Sequence, residues 1–284
     1  MKICIFNGTC LGIVDGDEVA DCTYILDRLK VPGYPLPRHD LLIEALPSLR
    51  AELDAALVDA PRIPLDQVSL ESPVANPGKL IAAPVNYQAH LDEAIADEAT
   101  FSRAHVRRIH ETGLFLKATS SLVGASADIV IGFPGRRTDH EIELAVVIGK
   151  AAKKVRADEA LDYVAGYCIG LDITIRGPEE RSLRKSLDTY SVLGPWLVTS
   201  DELGDATDVD LALDVNDEPR QRANTRDLIM TTRELIEFAS SFYTLEPGDV
   251  LFTGTPQGVG PILPGDTVSA SISKIGNIRM VVKQ

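Results

Sequence analysis

The sequence lacks any apolar run approaching the roughly 18 residues that a bilayer-spanning helix needs, so it predicts no transmembrane segment. Cysteine is scarce and poorly placed for chemistry. Cys4, Cys10, Cys22 and Cys168 form no C-x-x-C pair and match no zinc spacing. They read as small buried thiols in a reducing, cytoplasmic setting. Basic residues are outnumbered, with 28 Lys and Arg against 42 Asp and Glu, a net charge of −14. Such a chain repels phosphate backbones and anionic membrane surfaces, which argues against nucleic acid and membrane as partners. The first residues carry one Lys and a short apolar run before Asp15 and Asp17, a pattern that predicts no signal peptide. There is no G-x-S-x-G elbow, no H-E-x-x-H, no Walker loop and no G-x-G-x-x-G. Internal repeats and low-complexity segments are absent too.

What remains is an ordinary globular composition, 45% hydrophobic and 25% charged over 284 residues, enough for two domains. Short apolar runs separated by Asn7-Gly8 and Asp15-Gly16-Asp17 predict strands and hairpins at the N-terminus. Leu42, Leu46, Leu49, Leu53 and Leu57 make one helical stripe over 38–59, with a break or kink expected at Pro47. Pro61, Pro64, Pro73 and Pro77 mark a linker, which places a small N-terminal α+β domain at 1–72 and a larger one at 73–284. In the second part, 80–84, 114–116, 129–131 and 141–148 read as strands. Residues 90–112, 157–164 and 231–242 read as helices, the last opened by a capping box at Thr231 and Glu234. Gly276-Asn277 reads as a final hairpin turn. The class is α+β, mainly β.

The chemistry concentrates in His140-Glu141-Ile142-Glu143-Leu144-Ala145-Val146-Val147-Ile148. Alternation on a strand puts Glu141, Glu143, Ala145 and Val147 on one face. Two carboxylates then sit side by side on a strand whose other residues are apolar. Like charges repel, and burying them is costly without a cation. A hard divalent ion, Mg²⁺, Mn²⁺ or Ca²⁺, suits carboxylate oxygens; the alternative is a strand end in solvent. Asp172 repeats the pattern inside Gly166-Tyr167-Cys168-Ile169-Gly170-Leu171-Asp172-Ile173, where an Asp bonded to backbone amides is the plainer reading. Together the three supply an oxygen-ligand set. Lys117 and Lys185 stand in similar company, as oxyanion or ligand partners or as solvated lysines. The loop Thr253-Gly254-Thr255-Pro256-Gln257-Gly258 is either an anion cradle or a plain tight turn.

On these residues the chain resembles the fumarylacetoacetate hydrolase family over about 78–284. The matching blocks run in the family's order: Ala83 to His90, Leu114 to Lys117, Glu141 to Lys150, Lys185 to Asp188, Gly194 to Val198 and Thr253 to Pro256. The resemblance implies a mixed β-sheet roll with flanking helices, in a homodimer. It implies that Glu141, Glu143 and Asp172 hold the metal. It also implies that Lys185 is the active-site lysine, that His90 and Glu93 form a lid dyad, and that Thr255 contacts substrate. The sequence departs after Asp172, where members commonly read Asn-Asp-x-Ser-x-Arg-Asp-x-Gln. Here Arg176 is kept and Glu179 replaces the glutamine; both are expected at the substrate. The segment 94–113 is longer than in compact members.

The expected activity is metal-dependent hydrolysis of a carbon–carbon bond in an acylpyruvate or related β-diketo acid, in aromatic or similar catabolism, releasing pyruvate or a similar 2-oxo acid. Isomerisation of a 2-hydroxy-dienoate and decarboxylation of a β-keto acid reuse the same enolate chemistry. A non-catalytic dicarboxylate binder would keep the three carboxylates and lack the dyad. Residues 88–113, which carry His90, Glu93, Arg103, His105, Arg107, Arg108 and His110, are expected to form a mobile lid over the site.

Overall fold

The computed structural model describes residues 1–96 and 109–284. The chain opens with strands β1 (Lys2–Phe6), β2 (Cys10–Asp15) and β3 (Glu18–Asp21). Asn7 and Gly8, both at positive φ, turn β1 into β2. Helix α1 (Leu41–Asp59) follows, capped by Asp40, whose carboxylate accepts from the amides of Leu42 and Ile43 at 3.0 Å. Contrary to the expected break, α1 runs through Pro47. Proline removes one helix bond, while Leu42, Leu46, Leu49 and Leu53 stay buried on both sides of it. Burial of that stripe outweighs the lost bond.

The chain continues through β4 (Arg62–Pro64), β5 (Leu80–Ala82), α2 (Gln88–Ala96), α3 (Ile109–Thr112), β6 (Phe115–Lys117), β7 (Leu122–Val123), β8 (Ile129–Val130), β9 (Thr138–His140), β10 (Ile142–Ile148) and β11 (Val164–Asp172). Then come β12 (Thr174–Ile175), α4 (Arg181–Arg184), β13 (Ser191–Thr199), α5 (Ser200–Leu203), β14 (Asp210–Val215) and β15 (Glu218–Asn224). The last elements are α6 (Thr232–Phe242), β16 (Val250–Phe252), β17 (Gly260–Pro261), β18 (Thr267–Ile272) and β19 (Gly276–Lys283). Among the described residues no helix is long and apolar enough to cross a membrane.

Three sequence expectations shift. The helix expected at 157–164 is only a short 3₁₀ turn, Ala160–Tyr163. There Tyr163 O accepts from Gly149 N at 2.7 Å and Val164 pairs with Ile148, so sheet pairing overrides helical propensity. The last hairpin turns before the expected Gly276-Asn277, at residues 273–275, with Lys274 at positive φ. Gly276 instead begins β19, where a β-carbon would lie 2.8 Å from the Trp196 ring. The helix expected over 90–112 appears as α2 and α3, and the rest of the lid segment lies outside the described residues. The capping box on α6 forms as expected.

Among the described residues the strands make three sheets. The largest runs β4-β3-β2-β1-β13-β11-β10-β16-β5-β6, with β7 also on β13. The second is β12-β9-β17 and the third β15-β14-β18-β19-β8. The N-terminal strands extend the large sheet, since β1 pairs with β13 through Lys2↔Val198 and Ile3↔Leu197. Strand β10 is central, between β11 and β16, and every residue of it is buried. Ile142, Leu144, Val146 and Ile148 enter one apolar core, and Ala145 and Val147 enter a second across the sheet. This is the alternation read from the sequence. Burial pushes the Cys4 and Cys22 thiols up to about 12, with Cys22 adding to it for Cys4 and Asp21 for Cys22, which makes them poor nucleophiles.

Candidate active site

Strands β10 and β11 are antiparallel, with Glu143 opposite Gly170 and Ile142 opposite Leu171. This register puts the start of β10 beside the end of β11. Glu141, Glu143 and Asp172 therefore meet, all buried, with one carboxylate oxygen of each within 4.8 Å of the others. Gly170, lacking a β-carbon, leaves room for Phe252, whose ring would lie 2.8 Å from one.

Among the described residues three cations hydrogen-bond to the cluster. Lys185, at the end of α4, donates to Glu141 Oε2 at 2.7 Å, Asp172 Oδ2 at 2.6 Å and Thr174 Oγ1 at 2.7 Å. Lys117, on β6, donates to Asp172 Oδ1 and, at 2.8 Å, to the Tyr190 carbonyl. Arg176, just past β12, bridges Glu141 Oε1 at 2.9 Å and Asp139 Oδ2 at 2.7 Å. Among the described residues Glu143 bonds no such cation; its Oε2 accepts from the Gly254 amide at 2.6 Å.

The electrostatics follow this division. Burial pushes Glu141 up, but Lys185 and Arg176 more than offset it and hold that carboxyl below the usual range. Burial and the like charge of Asp172 push Glu143 well above it. Burial also pulls the Lys117 ammonium below the usual lysine range, against the pull of Asp172. A divalent cation relieves what the protein leaves unrelieved, the repulsion on Glu143. The all-oxygen donor set and the buried cluster fit a hard divalent ion.

His90 and Glu93 lie one turn apart on α2. His90 is buried, and its Nδ1 sits 3.0 Å from Glu93 Oε2. Glu93 Oε1 accepts from the Gly258 amide at 2.9 Å. The loop after β16 thus holds both halves of the site, Glu143 through Gly254 and Glu93 through Gly258.

The other expected substrate residues have these surroundings. Arg176 is anchored on Asp139 and Glu141. Thr255 is buried, its hydroxyl donating to the Ile142 carbonyl at 2.9 Å and accepting from Gln221 Nε2 at 2.8 Å. Both Glu179 oxygens accept from Arg136, at 2.9 and 2.7 Å. That guanidinium also donates to the Arg176 carbonyl and crosses Gly177, where a β-carbon would lie 1.9 Å from it. The Arg136 bond holds the Glu179 carboxyl below the usual range. Three further residues complete the framework. Asp139 orients Arg176. Asn86, in a matching block but without an assigned role, bonds Met230 and the Thr253 carbonyl. Gln221 carries no sequence signal at all.

A sequence profile described as fumarylacetoacetate (FAA) hydrolase C-terminal matches residues 79–283. The chain belongs to the fumarylacetoacetate hydrolase family. It is 54% identical over 285 residues to maleylpyruvate hydrolase of Aquipseudomonas alcaligenes, covering 100% of this chain and 99% of that one. The crystal structure of maleylpyruvate hydrolase from Sphingobium sp. SYK-6, in complex with manganese(II) ion and pyruvate, matches with a TM-score of 0.85. It is 40% identical and the match covers 100% of this chain and 99% of that one. A probable 2-hydroxyhepta-2,4-diene-1,7-dioate isomerase from Mycobacterium abscessus matches with a TM-score of 0.79 at 28% identity, covering 100% of this chain and 98% of that one. In this member of the fumarylacetoacetate hydrolase family, the loop after β16 ties the carboxylate cluster to the His–Glu pair, through Glu143 and Glu93.

Proposed function

We propose that this protein is a divalent-metal-dependent hydrolase that cleaves the carbon–carbon bond of acylpyruvates, with maleylpyruvate, for which the Aquipseudomonas and Sphingobium relatives are named, as the substrate. The observation that carries the reading is the buried cluster of Glu141, Glu143 and Asp172 beside Lys185. The full-length likeness to maleylpyruvate hydrolase supports it.

Glu141, Glu143 and Asp172 would hold Mn²⁺ or Mg²⁺. When bound, the ion supplies Lewis acidity toward the oxygens of a 2-oxo acid. The charge balance favours an anionic substrate. The carboxylates Asp139, Glu141, Glu143 and Asp172 are matched by Arg137, Arg176, Lys117 and Lys185. Any added divalent charge is then left for a dianion.

His90 donates its Nδ1 proton to Glu93, which makes Nε2 the basic ring nitrogen. His90 Nε2 takes a proton from water, and the water oxygen adds to the acyl carbonyl carbon. Lys185, whose three donors are taken by Glu141, Asp172 and Thr174, stabilises the oxyanion through its positive charge. The bond between the acyl carbon and carbon 3 of the pyruvyl unit then breaks. The acyl fragment leaves as a carboxylic acid, and the pyruvate enolate takes back the proton at carbon 3. A homodimer, as the resemblance implies, and a reducing cytoplasmic setting, which the free thiols support, complete the proposal.

A second reading, isomerisation of a 2-hydroxy-dienoate, rests on the likeness to the isomerase. It would use the same His90–Glu93 pair to move a proton between carbons without adding water. Incubation of an acylpyruvate panel with protein and Mn²⁺ or Mg²⁺ tests the two. Loss of the ultraviolet band with pyruvate formed supports hydrolysis. A shifted band without pyruvate supports isomerisation.

A further inference from the structure

Strand β15 is an edge strand with mostly exposed residues, yet Gln221 on it is fully buried. A buried amide needs partners for two donor hydrogens and two acceptor sites. Gln221 finds all four. Its Oε1 accepts from His140 Nδ1 and from the Ile142 amide, both at 3.1 Å. Its Nε2 donates to Thr255 Oγ1 at 2.8 Å and to the Pro256 carbonyl at 2.9 Å. The reverse orientation would set donors against the Ile142 N–H, so the amide has one arrangement.

The two ends of this amide reach two different segments of the site. His140 and Ile142 flank Glu141, and Ile142 separates it from Glu143. Thr255 and Pro256 lie between Gly254, which holds Glu143, and Gly258, which holds Glu93. One residue back along β15, the Arg220 carbonyl packs on the same loop. A β-carbon at Gly258, whose φ is +90°, would lie 2.2 Å from it.

We propose that Gln221 is a positioning residue: its amide locks the strand junction carrying Glu141 and Glu143 to the loop that grips Glu143 and Glu93. The carboxylate cluster and the His90–Glu93 pair thereby keep one fixed relation. The proposal rests on the reading of the site given above and adds a residue outside the family motifs identified in the sequence. Outer partners of metal ligands act in this way, by fixing ligand orientation.

The test compares Gln221→Met, which keeps volume and removes all four bonds, with Thr255→Val, which removes the Gln221–Thr255 bond and the Thr255 bond to the Ile142 carbonyl. Mn²⁺ affinity is measured by calorimetry, kcat and KM on acylpyruvates, and amide exchange at residues 254–258. Gln221→Met is expected to weaken Mn²⁺ binding and lower kcat, each by about 10- to 100-fold, with KM little changed. Loop exchange should quicken. Thr255→Val should move the same quantities in the same direction by less. Wild-type Mn²⁺ affinity and kcat in Gln221→Met, with only a lowered melting temperature, would overturn the proposal. If that variant does not fold, unchanged Mn²⁺ affinity and kcat in Thr255→Val overturn it. Mn²⁺ affinity and exchange decide the matter even if acylpyruvates prove not to be the substrate.

Discussion

Lys185 donates to Asp172 Oδ2 at 2.6 Å, with both side chains buried. The same ammonium reaches Glu141, so one lysine binds two of the three carboxylates that would hold the metal. A lysine in this position opposes a divalent cation and favours an oxyanion beside it.

Lys185→Met should therefore bind Mn²⁺ at least as tightly as the wild type. Its kcat should fall by about 100- to 1000-fold, as when a group that stabilises the oxyanion is lost. Calorimetry and steady-state kinetics on one preparation check both. Lost Mn²⁺ binding with kcat retained would reverse the role assigned to Lys185.

The cluster's charges also predict opposite stability effects for two ligands. Asp172→Ala strands Lys117 and Lys185 without their shared partner. Breaking a buried pair from one side costs about 3–5 kcal/mol. Glu143→Gln instead removes a carboxylate that burial and Asp172 already disfavour. In EDTA, thermal melts should show Asp172→Ala strongly destabilised and Glu143→Gln unchanged or stabilised. Mn²⁺ should raise the wild-type melting temperature and neither variant's. Equal losses in EDTA would mean the two carboxylates are in equivalent environments.

His90→Ala should lower kcat by about 10²- to 10⁴-fold, as loss of a general base does, and leave Mn²⁺ affinity intact. Glu93→Gln should give a smaller loss, since the amide's single acceptor oxygen keeps one of the two bonds, to His90 or to Gly258, and sets its NH2 against the other. Near-normal turnover in His90→Ala would remove the dyad from the reaction.

Glu179 stands where the family pattern has glutamine, and a substrate contact is the expectation from that position. The structure pairs it with Arg136, both side chains about one-third exposed at 36% and 34%. A pair so placed contributes at most about 1 kcal/mol. Glu179→Gln should lower the melting temperature slightly and leave KM unchanged across an acylpyruvate panel. An altered substrate preference would show that Glu179 leaves Arg136 to meet the substrate.

The legible part of the site is the part that violates local expectation. Glu141, Glu143 and Asp172 stand out because carboxylates interrupt strands that are otherwise apolar, and period two says which face each takes. The framework is not legible in that way. Gln221 lies in a polar strand among Glu, Arg and Asn, and nothing local distinguishes it from its exposed neighbours. Its partners are 34 to 81 residues away in sequence, brought together only by the packing of separate sheets. The same holds for Asp139, whose partner Arg176 arrives through β12. The 157–164 segment reads wrongly, and the helix is not broken at Pro47, for a related reason: sheet pairing decided the first and tertiary burial the second against local propensity.

The most direct test runs the reaction in heavy-oxygen water with Mn²⁺ and follows both products by mass spectrometry. Addition of water to the acyl carbon predicts one heavy oxygen in the new carboxylate of the released acid, with pyruvate formed in equal amount. Neither product should appear with Asp172→Ala. Conversion of the substrate to a single product that keeps its carbon skeleton and carries no heavy oxygen in a new carboxylate would contradict the account.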